Sequence, residues 1–156
     1  MGISKELQIG KAGEHLVCCD LIQQDFNAFL ADQGLPFDVL VEIDGELKKV
    51  QVKTTQKLVT YEKAPNVYRF GTRRAKNARE RVRCKDVDFF AFVALDIRKI
   101  AYLPILKMMT KDDKVKQTVD FKTRDKSYFG KTTKSGVHRK LPNKVKYIQD
   151  YGTFKP

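Results

Sequence analysis

Asp38, Gln51 and Lys53 are the residues of this chain whose types and spacing invite chemistry. A carboxylate, an amide oxygen and an ammonium together can hold a hard cation and face an anion beside it. Gln51 and Lys53 are two apart, the spacing that sends side chains to one face of a strand. Between Asp38 and Gln51 lies Asp44-Gly45, flanked by two apolar runs. Asp-Gly is a dipeptide suited to a tight two-residue turn. A hairpin folded there gathers acid, amide and ammonium at one end of a small sheet.

The elements around this hairpin must position it. Its strands are predicted near 37–43 and 47–55, the second because Val50, Val52 and Thr54 alternate with Gln51, Lys53 and Thr55. Residues 3 to about 25 read as a helix whose apolar face is Ala12, Leu16, Cys19, Ile22 and Phe26, widened by Val17, Cys18 and Leu21, so it is expected to be largely buried. Gly10 and Gly13 each cost that helix about 1 kcal/mol relative to Ala, which close approach of another backbone or of substrate would offset. Asn27 to Ala31 reads as an edge strand and Val67 to Phe70 as a third strand. Asp88–Leu95 and Ile100–Ile105 follow as two more, joined by a turn, and Leu106 starts a brief helix. From Lys122 to Lys140 the chain is polar, and Tyr147–Tyr151 reads as a short docking element.

Pro36-Phe37-Asp38, followed after the turn by Gln51-Val52-Lys53, resembles the active-site signature of the PD-(D/E)XK nucleases. The common form of that family has Asp or Glu where this chain has Gln51. A further family element, a Glu on the preceding helix, is matched by Gly13-Glu14. The Glu, Asp, Gln-x-Lys order is similar to that of the homing endonuclease of PD-(D/E)XK type encoded by a group I intron. The likeness covers roughly the first two-thirds of the chain and implies an α/β fold, a central mixed sheet flanked by helices. It implies catalytic roles for Glu14, Asp38, Gln51 and Lys53, and Mg²⁺ as cofactor. Asp38 would give the cation a charged oxygen, Gln51 a neutral one and the Val52 carbonyl a third, with Glu14 acting through a bound water. Lys53 would hold the attacking water or stabilise developing charge. The partners implied are double-stranded DNA and further copies of the chain, as a homotetramer or a homodimer.

Charge supports a polyanionic partner. The 156 residues carry a net charge of +12, unevenly spread. Residues 1–70 hold 8 basic and 10 acidic side chains, residues 71–120 hold 13 and 7, and residues 121–156 hold 10 and 2. A near-neutral catalytic frame is thus followed by the cations that phosphates need. The expected division is a nuclease core over 1–120, with a basic stretch at 71–85, and a basic extension of the same domain over 121–156. Candidate DNA contacts are Thr54, Thr55 and Gln56 on the active strand and Arg73, Arg74, Lys76, Arg79, Arg81 and Arg83 in the basic stretch. Lys131, Lys134, Arg139 and Lys140 continue the set in the extension.

Other chemistries find less support. Cys18, Cys19 and Cys84 form no Cys-x-x-Cys pair and read as free thiols. His15 and His138 are the only histidines, which argues against a His-Asn-His nuclease and a zinc site. His15 is expected to fill a niche on the helix, and Asp88 to serve as a turn or cap residue. No Walker-type glycine loop implies a nucleotide cofactor. With neither a membrane-length apolar run nor a signal peptide, the expected location is the cytoplasm, at the nucleoid. Two alternatives stand beside the homing endonuclease: a structure-selective enzyme of the Holliday junction resolvase kind, and a DNA-binding module whose nuclease site is inactive.

Overall fold

The computed structural model describes residues 2–59, 66–73, 83, 85–125 and 146–156. One α-helix, α1, runs over Lys5–Gln23, and the Ser4 hydroxyl caps it by accepting from the Leu7 amide at 3.3 Å. The strands are β1 Asn27–Leu30, β2 Val39–Ile43, β3 Glu46–Thr55, β4 Tyr68–Gly71, β5 Phe89–Ala94, β6 Lys99–Pro104, β7 Thr118–Lys122 and β8 Lys146–Tyr147. Five of them form a mixed sheet in the order β1-β2-β3-β5-β6. Its β3–β5 pairing is parallel and the others are antiparallel.

The hairpin forms as its sequence predicts. Ile43 pairs with Glu46, leaving Asp44 and Gly45 as a two-residue loop with φ of 51° and 83°. Positive φ at both positions gives the turn whose twist matches the flanking strands, and Asp-Gly reaches it with little strain. Strand β5, Phe-Phe-Ala-Phe-Val-Ala, is buried at all six positions because layers cover both faces of the sheet.

One layer is α1. Its buried row is Gly13, Val17 and Leu21, packed on Val39, Val41, Val50, Val52, Ala91 and Val93. This corrects the expected face: Ala12, Cys19 and Ile22 are exposed, and the helix is buried along one narrow row only. The cause is close approach. A Cβ added to Gly13 would stand 1.8 Å from Thr54 Oγ1, so α1 sits down on β3 at that glycine. Gly10 meets nothing within 4 Å and has no such role. His15 is exposed, so the niche expected for it is absent.

The other layer is a second sheet, β4-β7-β8, where the resemblance implied flanking helices. Its inner face meets β5 through aromatic rings. Phe92 lies 5.2 Å from Phe70, 5.6 Å from Phe90 and 5.6 Å from Phe121, centroid to centroid. The C-terminal residues lock both layers. A 3₁₀ turn at Ile148–Tyr151 buries Ile148, and Phe154 packs edge-on against Phe26, Phe89 and Tyr102. Gln24 holds this end, donating to the Gly152 carbonyl and accepting from the Phe154 amide. A second 3₁₀ turn, Ile105–Met108, stands where the brief helix was expected. Among the described residues no helix is long and apolar enough to cross a membrane.

Candidate active site

The site lies where β2 begins and β3 outruns it. The ladder starts with Val39 opposite Val50, so β3 beyond that point is paired only with β5. Asp38 stands at this end. Its amide donates to the Val50 carbonyl at 2.9 Å, and its Oδ2 accepts from the Val52 amide at 2.7 Å. The side chain therefore replaces the missing strand partner of Val52, which fixes the carboxyl in the plane of the sheet.

Asp38 is the electrostatic centre of the cluster. Burial pushes its carboxyl above the usual carboxylate range, and the Val52 N–H draws it back. The Glu14 charge raises it further, while Lys53 and Lys11 lower it. Two acids and two lysines thus share one field. Glu14 is mostly buried and takes an ion pair from Lys11 Nζ at 2.6 Å. Lys11 was not among the sequence candidates. Its spacing three before Glu14 on a helix was the available signal.

Gln51 lies one position past Val50, on the same strand face as Lys53, and is 6 % exposed. Its Oε1 is buried and has no hydrogen-bond partner among the described residues. An orphaned buried oxygen costs stability and calls for a ligand. Among the described residues no three His, Cys, Asp or Glu side chains converge to hold a metal. A hard cation would instead find a mixed oxygen set here, the Asp38 carboxylate and the Gln51 amide oxygen with Glu14 nearby, and these donors fit magnesium chemistry.

Lys53 Nζ donates to the Arg73 carbonyl at 3.0 Å. The second sheet therefore reaches the site, a link that sequence reasoning missed because β7 was not foreseen. The DNA-contact candidates separate. Thr54 is half-buried, and its hydroxyl lies under Gly13 with no hydrogen-bond partner among the described residues. Thr55 donates to the Lys57 carbonyl at 3.4 Å, and Gln56, Arg73 and Arg83 are exposed. Arg74, Lys76, Arg79, Arg81, Lys131, Lys134, Arg139 and Lys140 lie outside the described residues, as do Cys84 and His138. A cleft of about 390 Å³ at the hairpin turn, lined by Asp25, Glu42 and Asp44, is at the far end of β2 from Asp38.

Residues 4–134 match the PD-(D/E)XK endonuclease family. The chain belongs to that family. Its members are nucleases that generally use divalent metal ions. Among solved structures, a bacterial homing endonuclease, I-Ssp6803I, is similar over 97 % of this chain and 87 % of its own. The identity is 16 % and the TM-score 0.58, a likeness of fold. No curated protein matches the chain.

Proposed function

We propose that this PD-(D/E)XK protein is a Mg²⁺-dependent endonuclease that hydrolyses phosphodiester bonds in double-stranded DNA. The observation that carries the reading is the orphaned Gln51 oxygen on the face shared with Lys53, on the strand next to the half-buried Asp38 carboxyl. Asp38, Gln51 and the Val52 carbonyl would hold the cation, with Glu14 behind them. When bound, the cation supplies a Lewis acid and a water of lowered pKa. Lys53 faces the charge that grows on the phosphoryl oxygens, and its fixed ammonium needs no reorganisation as that charge appears. The Val52 N–H keeps the Asp38 carboxyl from rotating away. The +12 net charge brings the polyanion to the site.

One such site cuts one strand. Cutting both strands of a target calls for at least two chains related by symmetry, so the active species is a symmetric dimer or tetramer. Sequence-specific cleavage in the manner of a homing enzyme is the reading favoured by the likeness to I-Ssp6803I. Its place of action is then the nucleoid.

The test is cleavage of a randomised duplex library with Mg²⁺, followed by sequencing of the cut ends. Asp38→Asn and Lys53→Ala are each expected to slow cleavage at the recovered sequence at least a thousandfold while leaving the DNA Kd within a few-fold, because both groups act on the transition state. A near-native rate in either variant shows the site to be elsewhere.

A further inference from the structure

Lys53 stands where β3 has lost its β2 neighbour, and a lysine side chain carries roughly 2 kcal/mol of rotamer entropy. Something must aim its ammonium. One contact is the Arg73 carbonyl, 3.0 Å from Nζ. That carbonyl belongs to the corner that follows β4, outside the five-stranded sheet altogether.

The corner is clamped onto the residues before β7. The Thr72 amide donates to the Gln117 carbonyl at 3.0 Å. The Thr72 hydroxyl donates to the Lys116 carbonyl. The Arg73 guanidinium donates to Gln117 Oε1 at 2.5 Å. Thr72 is only 3 % exposed, one of three buried polar residues in the described chain, with Gln51 and Thr123. Its amide bond already extends the β4–β7 ladder by one residue. The hydroxyl adds a second tie to the adjacent carbonyl, so the peptide leading to Arg73 is held at two points.

We propose that Thr72 is a positioning residue for cleavage: its buried hydroxyl fixes the Thr72-Arg73 corner, and the Arg73 carbonyl then orients the Lys53 ammonium toward the phosphate. An ammonium has three donors. One of them is held by the Arg73 carbonyl, and Lys53 lies in the field of Asp38. The second sheet is thereby part of the catalytic machinery as well as a cover for Phe92. The proposal rests on the reading of Lys53 as catalytic.

Thr72→Val keeps the shape and removes the hydroxyl, and Thr72→Ser keeps the hydroxyl. On the full chain, with the duplex recovered from the library and saturating Mg²⁺, the single-turnover rate of Thr72→Val is expected to fall about tenfold to a hundredfold. Its DNA Kd stays within twofold, and Thr72→Ser stays within threefold of native rate. Gln117→Ala, which loosens the same corner from a partly exposed position, is expected to slow cleavage about threefold to tenfold, and it decides the matter should Thr72→Val fail to fold. Native rates in Thr72→Val, or in Gln117→Ala, overturn the proposal. So do equal losses in the Val and Ser variants, or a rate loss matched by weaker DNA binding. Lys53→Ala run alongside separates the two failures. If it is inactive while Thr72→Val is native, only the positioning role falls. If it cuts at the native rate, the reading of Lys53 falls first.

Discussion

Two aspartates make the same hydrogen bond to opposite edges of β3. Asp38 Oδ2 accepts from the Val52 amide and Asp88 Oδ2 from the Lys49 amide, each at 2.7 Å. Each stands immediately before the strand that pairs with β3 on its side, Asp38 before β2 and Asp88 before β5. The bond is a device for starting a strand. What differs is the company. Both also place their own amide on a β3 carbonyl, Asp38 on Val50 at 2.9 Å and Asp88 on Lys49 at 2.8 Å, but Asp88 lies at the join of two paired strands. Asp38 looks out over the end of β3 that has lost its β2 neighbour, with Glu14, Lys11 and Lys53 in its field and an orphaned amide oxygen on the next strand. A carboxylate becomes a candidate catalyst through its neighbours, not through the backbone bond it makes.

The largest expected effect tests that contrast directly. Asp88→Ala should lower stability by about 1 kcal/mol for the lost bond and leave the cleavage rate within about threefold, whereas Asp38→Asn should lose at least a thousandfold in rate, a group acting on the transition state. Cleavage kinetics and urea unfolding of the two variants, measured together, make the comparison. A large rate loss in Asp88→Ala would erase the distinction. Next in size is the packing that brings Glu14 to the Asp38 end. Gly13→Ala is expected to cost about 1–3 kcal/mol by overpacking against Thr54. Thr54→Ala in the same chain should recover part of that cost, a coupling that a double-mutant cycle reads. Additive losses would mean that the two residues are not in contact.

These ends of β3 were not equally legible in the sequence. The hairpin, its Asp44-Gly45 turn and the shared face of Gln51 and Lys53 followed from local rules, since turn chemistry and a period of two act over a few residues. Asp88 was legible as a cap for the same reason. The α1 face was misjudged because the pattern offered two apolar rows, and contact with β3 at Gly13, a long-range event, chose the Val17–Leu21 row. Of the second sheet only β4 was visible, as the strand expected over Val67 to Phe70. In Thr118-Val119-Asp120-Phe121-Lys122 only Phe121 is fully buried, and β8 is two residues long. Their strand character comes from pairing with β4 and from the Phe92 cluster, so no local pattern carries it. With the sheet went Thr72 and the anchor of Lys53.

Gln51 sharpens the comparison at smaller amplitude. Its buried oxygen, unpartnered among the described residues, is a cost that a bound cation would offset. Gln51→Leu should therefore raise stability in EDTA by roughly 1 kcal/mol while abolishing cleavage and the stabilisation conferred by Mg²⁺. Gln51→Glu should do the reverse: a third carboxyl near Asp38 and Glu14 lowers stability in EDTA, and Mg²⁺ restores it. Thermal melts with and without the cation distinguish them. A loss of stability in Gln51→Leu under EDTA would show that the amide oxygen has a partner and is structural.

The smallest effect concerns the charge on Asp38 itself. Burial, ahead of the Glu14 charge, holds its carboxyl above the usual range. In the unfolded chain the same group titrates near the ordinary aspartate value, about 3.9. The native state therefore keeps its proton over a window in which the unfolded chain has released it. Below that window both forms are protonated, and Asp38 contributes no pH dependence. As pH rises through the window the unfolded chain loses its proton first, so stability falls, and above the native value the full cost is present. Asp38→Asn retains an oxygen for the Val52 N–H and removes the charge. In metal-free buffer at neutral pH it should melt higher than the native chain, by about 2–4 °C for each kcal/mol recovered in a domain of this size. The gain should shrink as pH is lowered toward the ordinary aspartate value. The Asp88→Ala variant should show no such gain at neutral pH, since it removes the acceptor of the Lys49 amide. Melting curves of the three proteins at neutral and acidic pH carry the test. A gain for Asp38→Asn that grows on acidification would mean that its carboxyl is stabilised in the fold as an ion, and that the two aspartates are alike after all.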